Sequence, residues 1–358
     1  MSEAGSTPDV PEPRANPVLL GQEPAETALL QVWRSERMPH AWLLTGPRGI
    51  GKATLAYRFA RLVLADGGLF GAGGDLQLDP QDPVFRRVAS GGHPDLLTAE
   101  RSIDDKGRLR TRITVEDVRK IGSFLRLTPA EGGWRVVIVD CADEMNPSAA
   151  NALLKILEEP PKNALLLLVS HAPGGLLPTI RSRCRRLPLR PLPDPTVVEL
   201  LGRYRPDLAD QDRTVLAGLA EGSIGRAVDL AAEGGIDLYR EVAGLLLSLP
   251  NLEGTRLHGL GDRFAKQGGE TAFRTATDLL GRWFGRMICA GASGAPAAEI
   301  LPGEAACMQQ LLERRSLDQW LDLWEKMARL FAAVEDVNLD RKQAWVGTFL
   351  EIEGLARS

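Results

Sequence analysis

A glycine-rich loop followed by a lysine is the segment with the clearest chemical pattern. Gly46, Gly49 and Gly51 precede Lys52 in the spacing GxxxxGK, between an apolar run of strand length and a run with helical spacing. In that setting backbone N–H groups and the start of the helix surround phosphate oxygens, and the lysine adds positive charge. The alternative is a glycine-rich turn that merely joins the two elements. The agreement of spacing, lysine and flanking elements favours a phosphate-binding loop.

The position after the lysine does not fit magnesium. A Ser or Thr hydroxyl normally follows the lysine of such a loop and contacts Mg²⁺. Here that position holds Ala53, and Thr54 comes one residue too late. Phosphate binding can survive this change, so Thr54 stays among the candidate residues of a degenerate site, but Mg²⁺ coordination is not supported. The sequence leaves open whether a nucleotide, ATP or ADP, is bound.

An acidic residue is expected at the end of a second strand. Loops of this kind work with an acid that holds Mg²⁺, and in many hydrolysing proteins the next residue is a Glu that orients the attacking water. Asp140 ends the apolar run Val136–Val139, but Cys141 occupies the position of the Glu. A thiol is a poor base for water, which predicts little hydrolysis. Asp143 and Glu144 are better interpreted as solvated loop acids than as replacements for the missing Glu.

The elements around these residues predict the fold class. Apolar runs of strand length alternate with stretches in which apolar residues recur at helical spacing. Strands that are apolar along their whole length are typical of a parallel sheet covered on both faces, so the first part of the chain is predicted to be α/β. The predicted strands are 41–45, 135–140 and 165–169, and the predicted helices include 52–64, 114–127 and 148–157.

Composition divides the chain into four segments. Residues 1–16 are rich in small, acidic and proline residues and are predicted to be a disordered tail. Residues 17–190 hold the strands and the glycine-rich loop. Several prolines then end the strand signal, as in a linker between domains, and only helical patterns follow. We predict a small helical domain over 191–245 and a second one over 250–358, whose four tryptophans are candidate anchors for a partner. The alternative is that they belong to the core, which is the more common role of tryptophan at helical spacing.

Charge and composition restrict the possible functions. The 358 residues carry a formal net charge of −4, so nucleic acid would have to be held largely by other subunits. The four cysteines include no CxxC pair, which does not favour a zinc site or a disulfide framework. No apolar run approaches the roughly 20 residues needed to cross a bilayer, and the first residues lack the pattern of a signal peptide. We expect a cytoplasmic protein without a membrane partner.

Four motifs, in this order along the chain, resemble the AAA+ clamp-loader subunits of DNA polymerase III. They are the loop that ends at Lys52, the strand Val136–Asp140, the run Asn151-Ala152-Leu153-Leu154-Lys155-Ile156-Leu157-Glu158-Glu159-Pro160-Pro161 and the run Ile180-Arg181-Ser182-Arg183-Cys184. The glycine-rich loop is common to many families, whereas the last two runs are specific as a pair. The resemblance covers about residues 17–230 with these motifs and the later helices only by length and type.

The resemblance implies an architecture and a role. It implies a RecA-like AAA+ sheet domain, a helical lid and an all-α C-terminal collar domain that holds a ring of subunits together. It also implies work with gamma/tau and delta subunits to load the sliding β clamp onto primed DNA in replication. Because Ala53 and Cys141 do not fit hydrolysis, the expected role is a stator with little ATPase activity. The alternatives are an active gamma/tau-type ATPase, which Lys52 and Asp140 permit, and, less well supported, a P-loop enzyme that phosphorylates a small molecule.

The resemblance also assigns roles to individual residues. In clamp loaders the Arg of Ser-Arg-Cys reaches the γ-phosphate of ATP on the neighbouring subunit, so Arg183 is the expected trans arginine finger. The alternative is that Arg183 belongs to an exposed basic edge formed with its neighbouring arginines. Ser170 and Arg226 stand at the positions of two sensor residues of the family. A Ser after a strand and an Arg at the start of a helix are also common for structural reasons alone.

The stretch after the first long helix departs from the family. Gamma/tau subunits, and many of the non-hydrolysing subunits, carry a four-cysteine zinc module there. No cysteine lies between Asp66 and Pro94, a stretch predicted to be irregular, while Gly91-Gly92-His93-Pro94-Asp95-Leu96 resembles the motif that follows the module. The resemblance therefore holds without the metal, and no zinc is expected.

Overall fold

The chain forms two compact units in the computed structural model, which describes residues 10–35, 37–65, 76–103, 107–131, 133–337 and 339–357. Unit 1 consists of Met1–Asp207 and Glu221–Arg226, and unit 2 consists of Leu208–Ala220 and Ala227–Ser358. The predicted domain limits at residues 190, 245 and 250 stay predictions, because this division does not separate a lid from a collar. In the described part of the chain, no helix is both long and apolar enough to cross a membrane.

Unit 1 contains a five-stranded sheet in which all neighbouring strands are parallel. The strands are β1 (Ala41–Thr45), β2 (Leu96–Ala99), β3 (Arg135–Val139), β4 (Ala164–Ser170) and β5 (Arg185–Pro188), in the order β2-β3-β4-β1-β5. Every residue of the three central strands is buried, as expected for strands covered on both faces. The α/β fold class predicted from the sequence is confirmed. The apolar pattern does not predict the two edge strands, which are short and partly exposed.

Helices of unit 1 cover both faces of this sheet. The helices of unit 1 are α1 (Glu23–Arg34), α2 (Lys52–Ala65), α3 (Pro83–Ala89), α4 (Val115–Arg126), α5 (Pro147–Glu158), α6 (Pro178–Arg183) and α7 (Asp194–Tyr204). One apolar core joins the sheet to α1, α2 and α3 through residues such as Leu29, Phe59 and Val88. The other core joins it to α4, α5 and α6, because successive strand residues point to opposite faces. α3 lies in the stretch predicted to be irregular, of which residues 66–75 are outside the described residues.

The segment before α1 lies against α2. Asn16 is 6% exposed, and its amide nitrogen donates a hydrogen bond of 2.9 Å to the Tyr204 hydroxyl. The buried guanidinium of Arg61, on α2, donates to the carbonyl oxygen of Asn16 at 2.8 Å. Asn16, the last residue of the stretch that composition assigns to a disordered tail, is therefore packed through polar contacts, whereas residues 12–14 are exposed, and the tail itself stays a prediction. Residues 1–9 of the predicted tail lie outside the described residues.

Unit 2 contains only helices as regular structure in its described residues. They are α8 (Asp210–Ala220), α9 (Ile224–Ala232, which begins in unit 1), α10 (Gly235–Leu247), α11 (Gly254–Ala265), α12 (Glu270–Ser293), α13 (Glu304–Arg314), α14 (Leu317–Val337) and α15 (Arg341–Arg357). Its core is aromatic: the Phe264 ring centroid lies 5.1 Å from that of Trp345. Trp283, Trp320 and Trp345 are completely buried. Of the two interpretations of these three tryptophans, the structure supports core residues rather than anchors for a partner, since their rings already pack inside the unit.

Candidate functional site

The glycine-rich loop connects β1 to α2 as predicted. Gly46, Gly49 and Gly51 have φ angles of 145°, 76° and 98°, in a region that L side chains rarely adopt. These angles let the backbone curve tightly between Thr45, the last residue of β1, and Lys52, the first residue of α2. The loop therefore has the glycine backbone that a phosphate would require.

The lysine of the loop is engaged by the loop itself. Lys52 Nζ donates a hydrogen bond of 2.7 Å to the carbonyl oxygen of Gly46 and another to that of Pro47. The residue is only 2% exposed. Burial lowers the pKa of Lys52 to about 8, although the nearby carboxylates of Asp143 and Asp140 act in the opposite direction. A phosphate at this loop would have to compete with the two carbonyl groups for the ammonium.

The segment that carries Arg226 packs against the loop. The backbone N–H of Gly225 donates to the carbonyl oxygen of Gly49 at 3.0 Å. A Cβ atom on Gly49 would lie 2.3 Å from Ser223 Oγ, and one on Gly225 would lie 2.9 Å from the Cα of Gly49. Arg226, whose backbone N–H donates to Ser223 Oγ at 3.1 Å, is thus brought to the loop by its neighbours along the chain.

The position after Lys52, where a hydroxyl would contact Mg²⁺, has no hydroxyl group. Ala53 occupies the position after Lys52, and Thr54 is 8% exposed within α2. Asp140 follows the end of β3, and Ser170, which ends β4, is fully buried and in register with Thr45 of β1. The sheet therefore brings Asp140 and Ser170 to the same edge as the loop, because parallel strands end together. The glycine backbone and Lys52 fit a phosphate group, whereas Ala53 does not fit a bound magnesium ion.

Cys141 holds a thiol that stays protonated. Its φ of 57° is left-handed, which is uncommon for a residue with a side chain. Its Sγ lies 3.3 Å from Nε2 of His171. Burial, followed by the nearby charge of Asp140, raises the pKa of the Cys141 thiol to about 12. At neutral pH this group cannot take a proton from water, which is what the Glu expected at this position would do.

Sequence reasoning assigned no role in this site to two of its residues, Asp143 and His171. Asp143 Oδ1 accepts a hydrogen bond of 2.9 Å from the backbone N–H of His171. Burial alone would raise the pKa of Asp143, but hydrogen bonds, first that one, lower it below its usual value. Its charge also acts on Lys52. The interpretation of Asp143 as a solvated loop acid is therefore wrong. The sequence signal that could have placed Asp143 in the site is its position shortly after β3, at the carboxyl edge of the sheet.

The predicted finger, Arg183, is the last residue of α6. Its side chain is 36% exposed. Nη2 lies 2.8 Å from Oε1 of Glu158, and Nη1 donates to the carbonyl oxygen of Thr179 at 3.1 Å. Both partners belong to α5 and α6 rather than to the glycine-rich loop. Arg185, nearby in β5, lies instead over the Trp42 ring, 5.0 Å from its centroid.

No metal centre is apparent in the described residues. They contain no group of three or more His, Cys, Asp or Glu side chains that could hold a metal ion. The four cysteines are free thiols. That the protein works without zinc stays a prediction.

Comparison with known proteins gives relatives that match about half of the chain. The model of the family described as DNA polymerase III, delta subunit, matches residues 21–193. DNA polymerase III subunit delta' of Pseudomonas aeruginosa is 40% identical over 186 residues, which are 51% of this chain and 53% of that protein. Its Bacillus subtilis counterpart is 30% identical over 196 residues, 55% of each chain. The matches thus span about half the length of these curated relatives.

Subunits of another type and solved structures are also similar. DNA polymerase III subunit gamma/tau of Mycobacterium tuberculosis is 33% identical over 190 residues, which are 52% of this chain and 30% of that protein. The crystal structure of a DNA polymerase III gamma subunit-related protein from Thermotoga maritima covers 92% of this chain and 99% of its own, at 21% identity and a TM-score of 0.40.

Proposed function

We propose that this chain acts as a delta-prime subunit of a DNA polymerase III clamp loader. The proposal starts from the match of residues 21–193 to the model of the family described as DNA polymerase III, delta subunit. Its partners would be gamma/tau and delta subunits and, through the complex, the sliding β clamp and primed DNA. Its place of action would be the cytoplasm. The 40% identity to a delta' subunit supports this assignment within the matched residues.

The observation that carries the proposal is the state of the chain's own phosphate loop. Lys52 is bonded to its own loop, Ala53 offers no hydroxyl, and Cys141 carries a neutral thiol where a base is expected. Phosphoryl transfer depends almost entirely on positioned charges, metal and water. A subunit without these groups is better suited to a static and assisting role than to hydrolysis. The loop could still hold ATP or ADP without turning it over.

Arg183 would supply the assisting role. A guanidinium stays charged, binds phosphate in a bidentate manner and stabilises the negative charge that grows during phosphoryl transfer. The exposed position of Arg183 at the end of α6 suits contact with ATP held by a neighbouring gamma/tau subunit. The residue would therefore act in trans, in a site to which this chain contributes one side chain.

The later helices would hold the ring together. A permanent ring needs a large and partly apolar interface between subunits. In this proposal residues 191–245 form the lid and residues 250–358 the collar. The buried tryptophans of unit 2 would stiffen the collar rather than contact a partner.

The alternative function is that of an active gamma/tau-type ATPase. The similarity to gamma/tau subunits and the presence of Lys52 and Asp140 favour it. Ala53 and Cys141 argue against it, because they remove the metal-binding hydroxyl and the water-orienting acid.

The test is an Arg183→Ala substitution in a complex reconstituted from gamma/tau, delta and this chain. We expect normal assembly and a lower rate of ATP turnover stimulated by clamp and primed DNA, because a finger contributes about 10³–10⁵ in rate at the site it faces. The loss is partial if other sites continue to turn over, and Arg183→Lys should not rescue it fully. Arg186→Ala, which removes a nearby exposed arginine, is the matched control. Equal rates for Arg183→Ala and the unsubstituted complex would overturn the finger assignment.

A further inference from the structure

The partner of Arg183 has no role in the function proposed so far. Glu158, the last residue of α5, places Oε1 2.8 Å from Nη2 of Arg183. The two residues are distant in sequence and lie at the ends of two different helices. They meet because α5 and α6 pack in the same core of the sheet.

The backbone around Glu158 is well packed and restricted. Leu157, which precedes it, is 2% exposed and belongs to the core. The carbonyl oxygen of Leu157 lies 3.1 Å from Nε2 of His40. Two prolines follow Glu159 and restrict the backbone. The carboxylate therefore projects from a rigid base, which can hold a neighbouring side chain in one orientation.

The helix end makes a cation beside Glu158 especially favourable. The C-terminal end of a helix carries partial negative charge, so an acid there is unfavourable and a cation there is favourable. The Arg183 guanidinium compensates both the carboxylate and the end of α5. Glu158 is 49% exposed and Arg183 is 36% exposed, so the pair contributes little to stability. A role in holding the shape of the fold does not account for it.

The contacts of Arg183 leave room for a phosphate. A guanidinium has five N–H donors, and among the described residues that of Arg183 contacts Glu158 and the Thr179 carbonyl oxygen. The remaining donors are enough for a bidentate contact with an anion. Glu158 can therefore keep its contact while the guanidinium binds a phosphate, and a finger held in this way loses less freedom when it binds.

We infer that Glu158 is a positioning residue for Arg183: its carboxylate orients the guanidinium toward the phosphate of the neighbouring subunit. This inference rests on the proposed function, in which Arg183 is the finger. Glu158 itself contacts no substrate.

The test compares Glu158→Gln with Glu159→Gln in the full reconstituted complex. The two substitutions remove the same charge from adjacent positions, and Glu159 forms no ion pair with any residue that the structure describes. We expect Glu158→Gln to lower kcat for ATP about threefold to tenfold, as for side chains in direct contact. KM for ATP, the melting temperature and assembly should be unchanged. Glu159→Gln should match the unsubstituted complex.

A double-mutant cycle with Arg183→Ala separates the possible failures. If Glu158 acts through Arg183, Glu158→Gln has no further effect in the Arg183→Ala complex. An additional loss there would overturn the inference, and so would an increase in rate from Glu158→Gln alone, which would mean that the ion pair restrains the finger. If Arg183→Ala slows turnover but Glu158→Gln behaves like Glu159→Gln, the inference fails and the proposed function stands. If Arg183→Ala has no effect, the finger assignment of the proposed function fails, and the inference on Glu158 fails with it.

Discussion

Two cations of unit 1, Lys52 in the glycine-rich loop and Arg183 at the end of α6, have opposite environments. Lys52 is 2% exposed and bonded to its own loop, and burial lowers its pKa to about 8. Arg183 is 36% exposed and keeps donors free for another group. One P-loop domain can thus retain the backbone of a phosphate site, use its lysine internally, and present its available positive charge elsewhere. The comparison teaches that a phosphate-loop motif does not by itself identify where a protein assists phosphoryl transfer.

The largest expected effect is the loss of ATP turnover in the isolated chain, relative to an ATPase that keeps the metal-binding hydroxyl and the water-orienting acid. We expect a rate indistinguishable from that of its Lys52→Met variant, because both the metal-binding hydroxyl and the water-orienting acid are absent. Loss of positioned groups of this kind typically removes several orders of magnitude in rate. A steady-state ATPase assay of the two purified proteins makes the measurement. Turnover near one per second that disappears in Lys52→Met would show that Lys52, like the proposed role of Arg183, serves phosphoryl transfer. That result would favour the gamma/tau-type alternative.

A smaller effect, on the free energy of unfolding, tests whether the segment around Ser223 packs against the glycine-rich loop. Gly49→Ala should lower the free energy of unfolding by about 2–5 kcal/mol, because the new Cβ adds a collision with Ser223 to the strain of a positive φ. Gly107→Ala is the control, since Gly107 has the same φ of +76° and, among the residues that the structure describes, no atom within 4 Å of its added Cβ. Urea unfolding of both variants gives the difference. Equal losses would contradict the packing of this segment on the loop.

The smallest expected effect is a pH dependence due to Lys52. Because the pKa of Lys52 is lowered to about 8 in the folded chain from 10.5, the unfolded chain binds more protons between these values. Stability therefore rises with pH through this window. The unfolding free energy of the unsubstituted chain minus that of Lys52→Met should increase by about 2 kcal/mol from pH 7 to pH 9.5. Titrations common to both proteins cancel. A constant difference would mean that the ammonium is hydrated rather than buried, which would bring Lys52 closer to Arg183 in environment.

Local patterns were sufficient for the strand, loop and helix that carry Lys52. The apolar run of β1, the glycine spacing and the helical period of α2 each depend on residues close together in the chain. The same is true of the two substitutions that weaken the site, Ala53 and Cys141, which are visible without any structure. The sequence by itself therefore determined the fold class and the degenerate character of the loop.

Tertiary structure decided which groups surround these residues. Asp143 meets His171 across 28 positions, Gly225 donates to Gly49, and Glu158 pairs with Arg183. Helical spacing could not tell that Trp283 and its neighbours are core rather than surface, because the same period serves both. The physical reason is that periodicity reports the faces of one element, while these contacts depend on the strand order β2-β3-β4-β1-β5 and on which helix ends it brings together.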